Sequence, residues 1–132
     1  MTKTRDSVYT STDTEYQEIC DFLNALAVKD PNAHWESGRM NFWRHNVHAD
    51  KERDDPFFRE NVHVWRGEND AVVALFISEY GREDVFVEVM PAYRSLYPDI
   101  FRWIDEHWAL KRTNIEIDVF SGDVDKIRTL ES

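Results

Sequence analysis

Hydrophobic and polar positions change their period several times along the chain, and each change marks an element. Residues 1–6 are polar and are expected to be loose, and Ser7-Val8-Tyr9-Thr10 is a short strand candidate. Tyr16, Ile19, Cys20, Leu23, Leu26 and Ala27 then fall three and four apart, which predicts an amphipathic helix to about Val28. Thr12-Asp13-Thr14-Glu15 fits a capping box at its start, with the Thr12 hydroxyl accepting a backbone N–H and Glu15 reaching back to the cap. Lys29-Asp30-Pro31-Asn32 ends it, because proline disfavours helical geometry in the residue before it. Trp35 to His48 is again helical in spacing but less regular, with Trp35, Phe42, Trp43 and Val47 on one face. Ala49 to Asp55 is almost wholly charged and reads as a solvated loop.

The period then drops to two. Val62 and Val64 alternate with His63 and Trp65, Ala71 to Tyr80 is long enough for a central strand, and Val85, Val87 and Val89 alternate with Phe86 and Glu88. Gly67-Glu68-Asn69-Asp70 and Gly81-Arg82-Glu83-Asp84 supply the turns, so 62–89 reads as a three-stranded antiparallel meander. Pro91 to Leu110 returns to helical spacing, with Leu96, Tyr97, Ile100, Trp103, Ile104, His107 and Trp108 as its stripe. Ile115, Ile117 and Val119 mark a strand over 115–120, and Val124 to Leu130 begins a last helix. The order is β-α-α-β-β-β-α-β-α. Strand 85–89, helix 93–110 and strand 115–120 form a β-α-β unit, which implies one parallel pair in an otherwise antiparallel sheet. The expected class is α+β.

Composition narrows the function classes. A chain of 132 residues sits at the usual size of one domain, so 1–132 is read as a single unit. Hydrophobic residues make up 42% of it, enough to build a packed interior. The net charge is −10, which disfavours nucleic acid and anionic membrane surfaces as partners. The longest apolar run, Ala71 to Ile77, falls far short of the roughly 20 residues of a membrane span. No apolar stretch follows the polar N-terminus, and the single Cys20 cannot form an intrachain disulfide; both favour a cytoplasmic setting.

The element order, with those lengths, resembles the GCN5-related N-acetyltransferase (GNAT) family over nearly the whole chain. The most local likeness is Val87-Glu88-Val89-Met90-Pro91-Ala92-Tyr93-Arg94, similar to the family's V-x-P-x-x-R at a strand end. The hairpin from Trp65 to Leu75 is similar to the family's paired central strands. In the family, a glycine-rich turn follows and offers backbone N–H groups to the pyrophosphate of acetyl-CoA at a helix start. The resemblance therefore implies acetyl-CoA as co-substrate, met by Val89, Met90, Pro91, Arg94, Ser95, Leu96 and Tyr97. Here Tyr97 and Asp99 stand where the family has glycines, and Pro98 has no N–H to donate. The turn is read as degenerate, with weak or no acetyl-CoA binding expected. The double change Tyr97→Gly with Asp99→Gly is expected to strengthen binding if the turn is the sole defect.

The family's closing two strands, and a tyrosine general acid often found near its last helix, have no counterpart in this sequence. The expectation is a truncated domain or the N-terminal half of a tandem protein, with a second copy or a C-terminal domain docking along strand 115–120.

The resemblance also implies a carboxylate base on the strand holding Glu88, where it would deprotonate an amine. The bland reading of Glu88 is an outward-facing strand residue. Glu79, at the end of the longest strand, is a second base candidate beside the plainer reading of a surface acid near a turn. His45 and His48 share a helix face, but two imidazoles fall short of the three protein ligands zinc normally takes, so no metal is expected. Asp50, Asp54 or His63 would be needed to complete a set. His63 and His107 are read as partly buried structural residues, the five tryptophans as packing, and Cys20 as a small buried hydrophobe. The leading functional expectation is an N-acetyltransferase, or an N-terminal portion of one, acting on a small-molecule or peptide amine. The rival is a non-catalytic module for subunit contact, substrate shaping or regulation.

Overall fold

Alternation over 62–89 builds the centre of the molecule. The computed structural model describes residues 4–10, 12–30, 35–47, 49–52, 55–79, 81, 84–108 and 116–117. Strands β1 (Arg5–Val8), β2 (Val62–Arg66), β3 (Val72–Ile77) and β4 (Asp84–Val89) lie side by side in that order, each antiparallel to the next. The short β5 (Glu116–Ile117) joins β4 in parallel, through Asp84↔Glu116 and Val85↔Ile117. The helices are α1 (Asp13–Lys29), α2 (Ser37–Phe42), α3 (Pro56–Asn61) and α4 (Tyr97–Trp103). The class is α+β, as the pattern predicts. The helix expected over 124–130, and all of strand 115–120 except 116–117, lie outside the described residues.

Period two sorts the sheet into two faces. Val62, Val64, Leu75, Ile77 and Phe86 pack against Ile19, Leu23 and Leu26 of α1, with Trp35, Met40, Trp43 and Phe58. Trp65, Ala74, Phe76, Val85, Val87 and Val89 pack on the other side against Leu96, Tyr97, Ile100, Ile104 and Trp108. All six residues of β3 are buried, so this strand carries both layers. Each buried Leu or Ile contributes about 1.5–3 kcal/mol. A bulge interrupts the β2–β3 ladder, where Trp65 faces Ala74 but Arg66 faces Val72. The extra residue puts Val73 and Ala74 on the same face, that of α4.

Turn chemistry explains the connections. Asn69 and Asp70 both have positive φ, 61° and 62°, at the β2–β3 turn, a conformation Asn and Asp tolerate better than other side chains. Gly81 has a φ of 71° between β3 and β4, and a Cβ there would press on Phe57.

Several sequence expectations need correction. Helix α3 falls where alternation gives no sign. Its cause is local: the Asp55 carboxylate accepts from the Phe57 N–H at 2.8 Å, and Pro56 takes the first helical position, where its missing N–H costs nothing. The helix expected over 93–110 is three pieces: tight 3-10 turns over Pro91–Leu96, then α4, then a wider π turn over Ile104–Trp108. Tyr93, with φ −116°, breaks the first turn, and Pro98 sits in the first turn of α4. Its stripe packs as expected at Leu96, Ile100 and Ile104, but Trp103 is half-buried and His107 is exposed. The irregular stretch from Trp35 likewise resolves into α2 and a π turn over Trp43–Val47. Arg5 and Asp6 are ordered in β1, opposite Arg66 and Trp65, and not loose. Glu15 accepts from the Thr10 N–H at 2.7 Å, two residues ahead of the cap it was expected to reach, while Thr12 accepts from the Glu15 N–H as predicted.

Candidate functional site

The end of β4 and the turn after it hold most of the expected site residues. Glu88 sits opposite Leu75 on the α1 face and is 2% exposed. It is therefore a buried carboxylate beneath the helical layer, and not the outward-facing strand residue of the bland reading. Val89 turns the other way, into the α4 layer, and Met90 packs against the α1 layer. The Met90 N–H donates to the Val73 carbonyl at 2.9 Å, which ties the end of β4 to the β3 bulge.

After Pro91 the chain coils tightly. The Tyr93 N–H donates to the Met90 carbonyl at 2.8 Å. A Cβ on Gly67 would lie 2.7 Å from the Tyr93 hydroxyl oxygen, so glycine at the β2–β3 turn lets that ring lie against the hairpin. Arg94 turns toward α1, its Nη2 3.4 Å from Asp30 Oδ2, where Asp30 is the 5%-exposed residue capping the end of that helix. Ser95 is exposed, Leu96 is buried, and Tyr97 is buried against Phe101 with ring centroids 5.8 Å apart.

These contacts test the turn against a pyrophosphate. Such a ligand needs converging N–H donors and room beside the backbone. The Tyr97 N–H is already spent on the Arg94 carbonyl, and Pro98 has none. Asp99 is exposed and forms an ion pair with Arg102 at 3.4 Å. The residues present do not fit a phosphate cradle. The reason differs in part from the sequence expectation. Tyr97 does not intrude on the turn from outside; it is a core residue that fixes the turn in a tight conformation.

Glu79 stands apart from this cluster. Glu88 pairs with Leu75 inside the sheet, whereas Glu79 lies past the end of β3, in the bend after Ile77. Its Oε1 is 3.2 Å from Arg39 Nη2, and its backbone carbonyl accepts from Trp43 Nε1 at 2.8 Å. The Arg39 guanidinium also lies over the Trp35 and Phe86 rings, at 4.5 and 4.6 Å. This arrangement fastens α2 to the sheet. The two candidate bases do not share a site.

The other candidates resolve as follows. Burial pushes the Cys20 thiol pKa up, so a thiolate is disfavoured there. His63 is buried, while His107 is exposed, which corrects its partly buried reading. His48 and Asp54 lie outside the described residues. Among the described residues no group of three His, Cys, Asp or Glu is arranged to hold a metal, and no helix is long and apolar enough to cross a membrane. Sequence reasoning missed Asp30 as the partner of Arg94. The pair is 64 positions apart, and no local pattern signals such a contact. No family model matches the chain, and no curated protein matches it.

Proposed function

We propose that the chain is a GNAT-type N-acetyltransferase domain, or the N-terminal portion of one, whose reaction class is acetyl transfer from acetyl-CoA to an amine. One observation carries this reading: the strand order β1-β2-β3-β4-β5, whose one parallel pair among the described residues is β4 and β5, with α4 between them in sequence. Glu88, on β4, is the base candidate that the resemblance supplies for taking a proton from an acceptor ammonium, and its burial, 2% exposed, counts against that role. The acceptor would be a small-molecule or peptide amine, the compartment the cytoplasm, and the partner a second copy or a C-terminal domain.

A second reading, a non-catalytic GNAT-like module for subunit contact, substrate shaping or regulation, is favoured by the turn after β4. Arg94 is engaged by Asp30, Tyr97 is buried, and the donors expected for a pyrophosphate are spent or missing. Losing two charge-assisted hydrogen bonds, at about 1.5–3 kcal/mol each, weakens binding by roughly two to four powers of ten.

Calorimetric titration with acetyl-CoA separates the two. Saturable binding well above the micromolar range, competed by CoA, supports the transferase domain with an impaired turn. No heat at millimolar acetyl-CoA would leave the non-catalytic module. Stoichiometric micromolar binding would overturn the account of the turn itself.

A further inference from the structure

On the α4 side of the sheet a cleft of about 260 Å³ lies between β1 and α4. Its apolar lining is Trp65, Leu96 and Trp103, and its acidic lining is Asp6, Asp99 and Glu106. Trp65 and Leu96 are buried, at 4% and 6% exposure, so they form its floor, and the half-buried Trp103 is its accessible apolar wall. Trp103 is held by stacking on His63, with centroids 4.1 Å apart and planes 19° apart. Aromatic contacts on three sides fix its position: Trp65 at 5.7 Å, Phe76 at 5.2 Å and His107 at 5.6 Å.

Charge then decides what such a cleft accepts. Two guanidiniums also line it, but both are engaged. Arg5 is ion-paired with Asp70, and Arg102 with Asp99. Asp6 and Glu106 remain. Among the described residues the partner of Asp6 is a histidine, with His63 Nε2 2.7 Å from its Oδ2, and burial holds the His63 pKa below its ordinary value. His63 is therefore neutral at pH 7 and leaves the Asp6 charge uncancelled among the described residues. Glu106 is exposed on the π turn after α4 and has no ion pair among the described residues. An apolar surface beside two uncompensated carboxylates is the chemistry of an amphipathic cation.

We propose that this cleft binds a small alkylammonium ion, its hydrocarbon chain against Trp65, Leu96 and Trp103 and its ammonium group at the carboxylates of Asp6 and Glu106. The site is separate from acetyl transfer. Asp6 and Trp65 face each other on the α4 side of the sheet, whereas Glu88 faces the α1 side with Leu75. It goes beyond the proposed function and stands without it.

The test is an NMR titration of the full chain with n-butylammonium chloride, read at the indole N–H signals of Trp65 and Trp103. No acetyl-CoA is present, so the outcome is blind to the transferase reading. Saturable movement of both signals is expected, with no matching movement on titration with sodium butanoate. Glu106→Gln, an exposed change that leaves the core intact, should weaken the affinity by about threefold or more. Added salt should weaken it as well. Three results would overturn the proposal: no saturable movement with butylammonium, equal movement with butanoate, or an unchanged affinity in the Glu106→Gln chain.

Discussion

Arg94 and Asp30 are joined by an ion pair of 3.4 Å in which the carboxylate is the more buried partner, 5% exposed against 30% for the arginine side chain. The arginine of the V-x-P-x-x-R stretch is thus directed at the end of α1. Asp30→Asn should remove the charge of that contact. The expected outcome is acetyl-CoA binding tighter by roughly tenfold, the worth of one charge-assisted contact, in calorimetric titration. An unchanged affinity would mean that the spent and missing backbone donors limit binding by themselves.

Tyr97→Gly, by contrast, should not open the turn. Tyr97 is 1% exposed and belongs to the α4-side core, so the change removes a buried ring and places glycine in a helix. A loss of about 3–5 kcal/mol in urea unfolding is expected. Asp99→Gly, at an exposed position, should cost about 1 kcal/mol or less. The double variant should therefore lose stability without gaining acetyl-CoA affinity. Tighter binding in a fully folded double variant would restore the simpler account, in which side-chain bulk alone blocks the turn.

These two residues also show what a sequence can convey. Alternation over 62–89 predicts the meander because each strand residue must choose between two faces, and burial enforces the choice residue by residue. The stripe from Leu96 to Trp108 reveals the α4 layer for the same reason. Which face is which is set by contacts far apart in sequence. Glu88 alternates with Val87 and Val89 whether its side is water or helix, and only the position of α1 decides that it is buried. Arg94 looks like a ligand-facing arginine until Asp30 is beside it. Helix α3 did carry a local signal, Asp55-Pro56, a capping residue followed by a proline suited to the first turn. The charged stretch from Ala49 to Asp55 before it reads as a solvated loop.

Arg66 offers a test of the α1 layer. It is buried on the sheet, 2.8 Å from Glu15 and 2.7 Å from Glu18, and it donates to the Asp70 carbonyl at 2.8 Å. Burial pulls its pKa down, and the hydrogen bonds and charges of Glu18 and Glu15 more than offset that. Arg66→Met leaves Glu15 buried with no cation beside it among the described residues. It should cost about 3–5 kcal/mol, less whatever Glu18 regains by turning to solvent. The double variant with Glu15→Gln should recover part of the loss, a coupling on the order of 1–3 kcal/mol in a double-mutant cycle. Strictly additive losses would show that the two side chains do not act together.

His63 makes the fold sensitive to mild acid. Desolvation lowers its pKa from the ordinary 6.5, the Asp6 hydrogen bond and charge raise it in part, and His107 lowers it further. The unfolded chain therefore takes up a proton on His63 at a higher pH than the folded one does. Between the two pKa values the unfolded state holds more protons, so stability rises with pH there. The contribution is present above about pH 6.5 and is lost as the pH falls through the lowered value. One proton limits the slope to about 1.4 kcal/mol per pH unit. His63→Phe keeps an aromatic ring against Trp103 but removes the titrating group, along with the contact to Asp6. Urea midpoints at pH 7, 6 and 5 should fall more steeply for the native chain than for this variant. Parallel midpoints across that range would remove His63 from the acid response.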